Sequence, residues 1–239
     1  MKPSQPPPGF CRVKWDTSPY VEIVDQNCYR LPDKAEPGQV VVDIGAHIGC
    51  FTCEALDRGF DRVFAFEADP RNFSQLCRNV TRHRDYARVE VQWGAVWRSD
   101  RPLQDLRMAH QFDLSDPDAV TSVGSVAFNY GSGDFVPAHS LRSILQRLDQ
   151  LGIKKIDFLK SDCEGSEYPI LYSAPDLLDR VDKLAVEVHV AGFSWNSAAM
   201  VEGHENTAEG MEKFLRGLGF QVEVTPGDNP RVAYVFANR

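Results

Sequence analysis

Three observations predict an α/β fold with an open, mostly parallel sheet. The apolar run Val40-Val41-Val42 ends in Asp43 and passes through Gly45 and Gly49 into an apolar-periodic segment. That is the pattern of a buried parallel strand feeding a ligand-binding turn and then a helix. A second short apolar strand, Arg62 to Phe66, ends in Glu67 and is followed by a second helical pattern. Near the C-terminus, Phe220–Val224 and Val232–Phe236 flank Pro226-Gly-Asp-Asn-Pro230, which predicts a closing antiparallel hairpin.

Taken in order, residues 1–38 form a proline-rich arm in which Tyr20-Val-Glu-Ile-Val24 is expected to be a short strand or arm over the ligand pocket. One domain is expected over residues 39–239. Gly45 and Gly49 let the chain bend sharply and let a ligand approach the backbone. Their G-x-x-x-G spacing differs from the G-x-G-x-x-G that cradles a pyrophosphate, which argues against a dinucleotide-dependent oxidoreductase. Asp43 would repel a phosphate but suits a cationic amino-acid head group, which points to S-adenosylmethionine (SAM). Glu67, roughly twenty residues past the turn, is where nucleoside-binding α/β folds place an acid for both ribose hydroxyls. Asp69 and Pro70 start a helix as N-cap and first-turn proline, with Phe73, Leu76, Cys77 and Val80 on one face. Arg88–Trp93 is the third strand. Residues 96–139 are polar, rich in Ser, Asp and Gly, and contain Phe128-Asn-Tyr130-Gly-Ser-Gly133; an insertion of this length is expected to be a substrate-side flap with hairpin character. A helix follows over Ser140–Leu151 with Leu141, Ile144, Leu145 and Leu148 inward. Ile156–Leu159 and Leu184–Val188 are the fourth and fifth strands, and Glu202–Leu218 is helical.

In this order the blocks resemble the FkbM-family SAM-dependent methyltransferases. Val41-Val-Asp43-Ile-Gly45-Ala-His47-Ile-Gly49 is similar to the family's V-D-x-G-A-N-x-G turn. Val63-Phe-Ala-Phe-Glu67-Ala68-Asp69-Pro70, Arg78-Asn-Val80 and Val91-Gln-Trp-Gly94-Ala95-Val96 follow as further blocks. Phe158-Leu-Lys160-Ser-Asp162-Cys-Glu164-Gly165-Ser-Glu167 is similar to L-K-x-D-x-E-G-x-E, and Glu187-Val-His189 to an E-x-H strand. The resemblance implies the Rossmann-like class I methyltransferase fold, whose sheet ends in an antiparallel hairpin strand. It also implies SAM binding by Asp43, Gly45, His47, Gly49, Glu67, Ala68, Ala95 and Asp162, with methylation of a hydroxyl on a small molecule or sugar. Two positions depart from the family: His47 stands where asparagine is usual, and Arg142 where an aspartate is common.

Composition narrows the partners. With 43% apolar and 25% charged residues, the chain is an ordinary globular protein. A formal charge of −8 lacks the clustered cations that nucleic acid requires; Arg78, Arg82, His83 and Arg84 read as a solvated helix end. No apolar run reaches membrane-span length, and the N-terminus lacks the apolar core of a signal peptide, so no membrane partner and a cytoplasmic location are expected. Cys50 and Cys53 form a lone C-x-x-C without a second pair, expected to be small buried thiols.

Each singled-out acid ends a strand, where ligands sit in open α/β sheets. Methyl transfer to a hydroxyl needs alignment and a base. Asp162 is the first candidate for the methyl-proximal position, with Glu164 and Glu167 flanking its turn. Lys160 pairs with a carboxylate or orients substrate, and His189 is the candidate general base on its ordinary pKa. Phe193-Ser-Trp195 is a candidate wall of the acceptor pocket. Asp162, Glu164, Glu187 and His189 are donors that Mg²⁺ accepts; a SAM ammonium would use an acid in the same region, and a metal is not expected. N-methylation of a small amine and a non-catalytic SAM-binding domain are the alternatives. Acceptor identity and oligomeric state have no signal in the sequence.

Overall fold

The computed structural model of the chain describes residues 10, 18–103, 106–109, 126–128, 134–189 and 200–239. The N-terminal segment enters as a helical turn, α1 (Ser18–Tyr20), continued by one π-helical turn over Val21–Asp25, not as the strand expected for Tyr20–Val24. Tyr20 and Ile23 both pack on the apolar pair Ile48 and Cys50. Their i, i+3 spacing suits a helical segment, and this tertiary contact overrides the β-branched local preference.

β1 (Val40–Ile44), α2 (Cys50–Asp57), β2 (Arg62–Glu67), α3 (Pro70–Arg82) and β3 (Val89–Trp93) then follow as the apolar periodicity predicts. The N-cap of α3 is Asp69, whose side chain accepts from the Arg71 and Asn72 backbone N–H groups, with Pro70 in the first turn. Every residue of β1 is buried, as a parallel strand covered on both faces requires. Val40, Val42 and Ile44 join one apolar layer with Leu141, Ile144, Leu148 and Leu215. Val41 joins the opposite layer with Phe51, Leu56, Phe60 and Phe158.

In the insertion, β4 (Ala95–Trp97) pairs in parallel with β8 (Ala138–Ser140). Between them β5 (Leu106–Ala109) pairs antiparallel with β6 (Val126–Phe128) and β7 (Asp134–Val136), the hairpin character expected there. Residues 129–133 of the glycine-rich stretch lie outside the described residues. α4 (Leu141–Gln150) starts at a capping box formed by Ser140 and Ser143, with Leu141, Ile144, Leu145 and Leu148 buried as predicted.

β9 (Phe158–Ser161), α5 (Glu167–Tyr172) and β10 (Lys183–His189) complete the parallel part. β9 begins and ends two residues later than expected, because Ile156 makes only an isolated bridge to Val181. α6 spans Ala208–Gly217, shorter than the expected Glu202–Leu218. Thr207 caps it by accepting from the Gly210 N–H, and Gly203 just ahead has φ +80°, a left-handed residue that interrupts a helix. β11 (Gln221–Pro226) and β12 (Val232–Asn238) form the antiparallel hairpin.

The sheet order is β11-β12-β10-β9-β1-β2-β3, with β12 antiparallel to β10. The strand order reverses between β1 and β9, which pair in parallel with Asp43 beside Lys160. This is the crevice where α/β sheets bind ligands beyond their carboxyl ends. Among the described residues no helix is long and apolar enough to cross a membrane.

Candidate active site

A cleft of about 230 Å³ opens at this crevice. It is lined by the turns after β1 and β2, by Gly94 and Ala95 after β3, by the turn after β9, and by the N-terminal segment through Pro19, Glu22, Ile23 and Tyr29. The expected packing of the arm over the pocket is therefore seen, although the arm is helical there.

The first turn is built from left-handed backbone. Gly45, His47 and Gly49 have φ of +75°, +52° and +91°. At Gly45 an added Cβ would fall 1.8 Å from the Asp162 carbonyl oxygen, so only glycine fits. His47 occupies a conformation that asparagine and histidine tolerate better than most residues. This explains why histidine can stand where asparagine is usual. Its backbone N–H donates to Glu67 Oε2 at 2.7 Å, while Asp69 N–H donates to Glu67 Oε1 at 2.8 Å. Burial pushes the Glu67 carboxyl up to about 7, against the lowering effect of those two hydrogen bonds. Glu67, Ala68 and Ala95 all face the cleft.

Asp43 does not line it. The carboxylate is fully buried, accepts from Thr52 Oγ1 at 2.6 Å, and lies 3.1 Å from Lys160 Nζ. The expectation that Asp43 meets a cationic head group directly is corrected: it is tied inward and acts on the turn through Lys160. That lysine donates to the Gly45 carbonyl at 2.6 Å and stands 3.9 Å from Asp162 Oδ2. Burial alone would lower its pKa, but Asp43 and then Asp162 hold it raised. Lys160 is thus a charged strut beneath the glycine turn, the carboxylate-pairing alternative of the two weighed for it.

The turn after β9 places Glu164 (φ +51°) and Gly165 (φ +102°) successively in left-handed backbone. Glu167 is fully buried; one oxygen accepts from Gly165 N–H at 2.7 Å and the other from His189 N–H at 2.9 Å. It also lies 2.9 Å from His189 Nδ1, while Glu164 Oε2 lies 3.2 Å from His189 Nε2. Both ring nitrogens therefore face carboxylate oxygens and both act as donors. Burial would lower the imidazole, but Glu167, Glu164 and Asp162 carry it up to about 10. A protonated imidazole has no lone pair to accept a proton, so the expectation of His189 as general base is corrected. Its arrangement is that of a cation that orders three carboxylates.

Asp162 remains the most accessible acid of this group together with Glu164, each side chain 28% exposed. Two further residues complete the site. Glu187, expected as a strand-end acid of the E-x-H block and a donor that Mg²⁺ accepts, lines the cleft, and burial and the neighbouring Asp162 push it up to about 8. Tyr29, which no motif marks, brings its hydroxyl 2.9 Å from Asp162 Oδ2 and 2.8 Å from Glu187 Oε2. Donor atoms of Asp162, Glu187 and His189 lie within 4.8 Å of one another. Each is engaged in the contacts just described. Phe193 and Trp195 lie outside the described residues. Arg142 is on the surface, paired with Asp176 at 3.1 Å, and Cys50 and Cys53 are free thiols pushed up to about 12 by burial.

The cleft's chemistry fits SAM. Glu67 faces the cleft, and carboxylates outnumber cations in the lining, with Glu22, Asp69, Asp162, Glu164 and Glu187 beside Lys160, which suits a sulfonium and an ammonium. Comparisons with known proteins give the family. The model of the methyltransferase FkbM domain matches residues 43–222. The 31-O-demethyl-FK506 methyltransferase FkbM of Streptomyces tacrolimicus is 30% identical over 210 residues, covering 77% of this chain and 79% of that protein. The hexuronic acid methyltransferase AglP of Haloferax volcanii is 26% identical over 160 residues, covering 66% of this chain and 59% of that protein. The crystal structure of an FkbM methyltransferase from Methylobacillus flagellatus KT aligns with a TM-score of 0.50 at 15% identity, over 87% of this chain and 44% of that one, a likeness of fold. The chain belongs to the FkbM methyltransferase family.

Proposed function

We propose that this FkbM-family methyltransferase transfers the methyl group of SAM to a hydroxyl of a small molecule or sugar. The observation that carries the reading is Asp162, a partly exposed carboxylate at the end of β9. It is held by Tyr29 and lies beyond the cleft's nucleoside end. The names of two relatives support the reading: one is called a 31-O-demethyl-FK506 methyltransferase and the other a hexuronic acid methyltransferase. When bound, SAM supplies an electrophilic methyl carbon on a sulfonium.

The chain's own residues do the rest. Glu67 accepts the two ribose hydroxyls, and the Gly45–Gly49 turn lets the ligand approach the backbone. Ala68 and Ala95 leave room for the base. Asp162 receives the acceptor's proton. Lys160, paired with Asp43, keeps Asp162 and the turn in register, and the protonated His189 offsets part of the surrounding negative charge. No step in this reading uses a divalent ion.

The test is a methyl-acceptor screen with SAM over polyols, hexuronic acids and small amines, run with wild type and Asp162→Asn. Loss of a general base costs about 10²–10⁴ in rate, so transfer to a hydroxyl should fall by at least a hundredfold in Asp162→Asn with S-adenosylhomocysteine binding retained. Methylation of amines alone, insensitive to Asp162→Asn, would replace the hydroxyl reading with N-methylation. Binding of SAM with no acceptor found among any class would leave only the ligand-binding half.

A further inference from the structure

The segment preceding β1 reaches deeper than cofactor binding requires. Tyr29 is buried, 3% exposed. Its ring packs edge-on against Phe51 and Tyr234 with centroids at 5.6 and 5.8 Å, and Lys160 Nζ lies 5.4 Å from the ring centroid. Its oxygen makes two short contacts, to Asp162 Oδ2 and to Glu187 Oε2. A phenol holds one proton. Two full hydrogen bonds along this row of three oxygens need a second proton, which must sit on a carboxyl group.

We propose that Tyr29 is a positioning residue for methyl transfer, whose hydroxyl joins Glu187 and Asp162 into one hydrogen-bonded row that aims the Asp162 carboxylate at the acceptor. In that row the Glu187 carboxyl donates to the Tyr29 oxygen, and the Tyr29 hydroxyl donates to Asp162. Glu187 is the natural holder of the second proton, since burial and Asp162 push it up to about 8. The inference rests on the hydroxyl-methylation reading. As the acceptor oxygen bonds the methyl carbon, its O–H bond breaks and the proton passes to Asp162. The carbon–sulfur bond breaks with its electron pair left on sulfur as a neutral thioether. Sulfonium and carboxylate thus become two neutral groups, and Asp162, open to the cleft, returns the proton to solvent.

The charged and titratable groups that face the row come from four directions: Lys160 on β9, His189 on β10 with Glu164 behind it, Tyr234 on β12, and Cys28 with Glu22 on the N-terminal segment. Lys160 and His189 lower Glu187 and Asp162 raises it; a Tyr29 hydroxyl donating to an ionised Glu187 lowers it too, whereas a Tyr29 oxygen accepting from the protonated carboxyl favours the neutral form. In the proposed row the oxygen accepts, so removing the hydroxyl moves the Glu187 titration downward.

The experiment is a pH titration of the full chain labelled with ¹³C at glutamate carboxyls, read by NMR with neither methyl donor nor acceptor present. Glu187→Gln assigns the resonance. The expected result is one glutamate titrating near 8 in wild type and lower in Tyr29→Phe, which keeps the ring and its packing. S-adenosylhomocysteine affinity stays within a few-fold in Tyr29→Phe, because the nucleoside end is untouched. With a hydroxyl acceptor delivered by the screen, kcat falls while the KM for SAM holds. A wild-type Glu187 that titrates in the ordinary carboxylate range, or a titration at the same or a higher pH in folded Tyr29→Phe, overturns the proposal. So does a shift of its resonance on adding Mg²⁺ alone, which would reassign the row as a cation site. If Tyr29→Phe does not fold, Tyr29→Trp and the wild-type titration decide. Because the titration needs no acceptor, its failure is distinguishable from failure of the hydroxyl-methylation reading.

Discussion

Glu67→Gln probes the nucleoside end of the cleft. Both Glu67 oxygens already accept one backbone N–H each, from His47 at 2.7 Å and Asp69 at 2.8 Å, and burial pushes the carboxyl up to about 7 from an ordinary 4.5. A vicinal diol is held by the ionised form, so ligand affinity should follow that ionisation. If only the carboxylate binds, the apparent Kd for S-adenosylhomocysteine weakens about tenfold from pH 8 to pH 6, roughly 1.4 kcal/mol. Stability moves the other way. The folded pKa lies above the unfolded one, so the proton-linked stabilisation is complete below about 4.5 and is lost as pH rises through about 7. That loss amounts to about 3 kcal/mol. An amide at position 67 has one acceptor oxygen, leaving either the His47 or the Asp69 N–H against an NH₂ group. A buried donor left unsatisfied costs about 1–3 kcal/mol. Glu67→Gln should therefore bind S-adenosylhomocysteine roughly ten- to a hundredfold more weakly, with no dependence on pH. Calorimetric titrations at pH 6, 7 and 8 decide it. A wild-type affinity flat over that range, or a glutamine variant that binds as tightly, refutes the assignment.

Two further substitutions test the framework under the site. Lys160→Met strands the fully buried Asp43 carboxylate without its partner at 3.1 Å, a loss of about 3–5 kcal/mol measurable by urea denaturation. Asp43→Asn in the same chain should recover part of it, and a negligible loss in the single variant would mean that the pair is not desolvated. Gly45→Ala forces a Cβ to within 1.8 Å of the Asp162 carbonyl oxygen at a φ of +75°. It should lower the thermal midpoint and abolish S-adenosylhomocysteine binding together, and an unchanged midpoint would refute the packing described for that turn.

The fold was legible because its strands are short apolar runs and its helices carry apolar residues at i, i+3 and i+4. β1, β2, β3 and β10 and helices α3 and α4 begin and end within two residues of expectation. The misses have local causes. Tyr20–Val24 has strand composition, yet the contact of Tyr20 and Ile23 with Ile48 and Cys50 rewards a helical spacing. α6 starts later than expected because Gly203, His204, Asn206 and Thr207 ahead of it are weak helix formers, and the decisive signal is a single threonine cap at Thr207.

At the site, which strand ends carry acids was legible, and which way each acid faces was not. Asp43 and Asp162 look alike in sequence: each is an aspartate at or just past the end of an apolar run. They differ because Asp43 is still within β1, where strand alternation sends it to the same layer as Val41 and against α2. Asp162 lies one residue beyond β9 and is free of that alternation. Several motif positions are then requirements of the backbone before they are chemistry. Gly45, His47, Glu164 and Gly165 are all left-handed, so the two sequence blocks encode a pair of tight turns facing each other across the β1–β9 crevice. What fills the space between those turns comes from elsewhere in the chain. Tyr29 is 133 residues from Asp162 and 158 from Glu187, and no local pattern announces a contact of that range. The turns can therefore be read in one dimension, whereas the Tyr29–Asp162–Glu187 row exists only once the N-terminal segment has folded over the sheet.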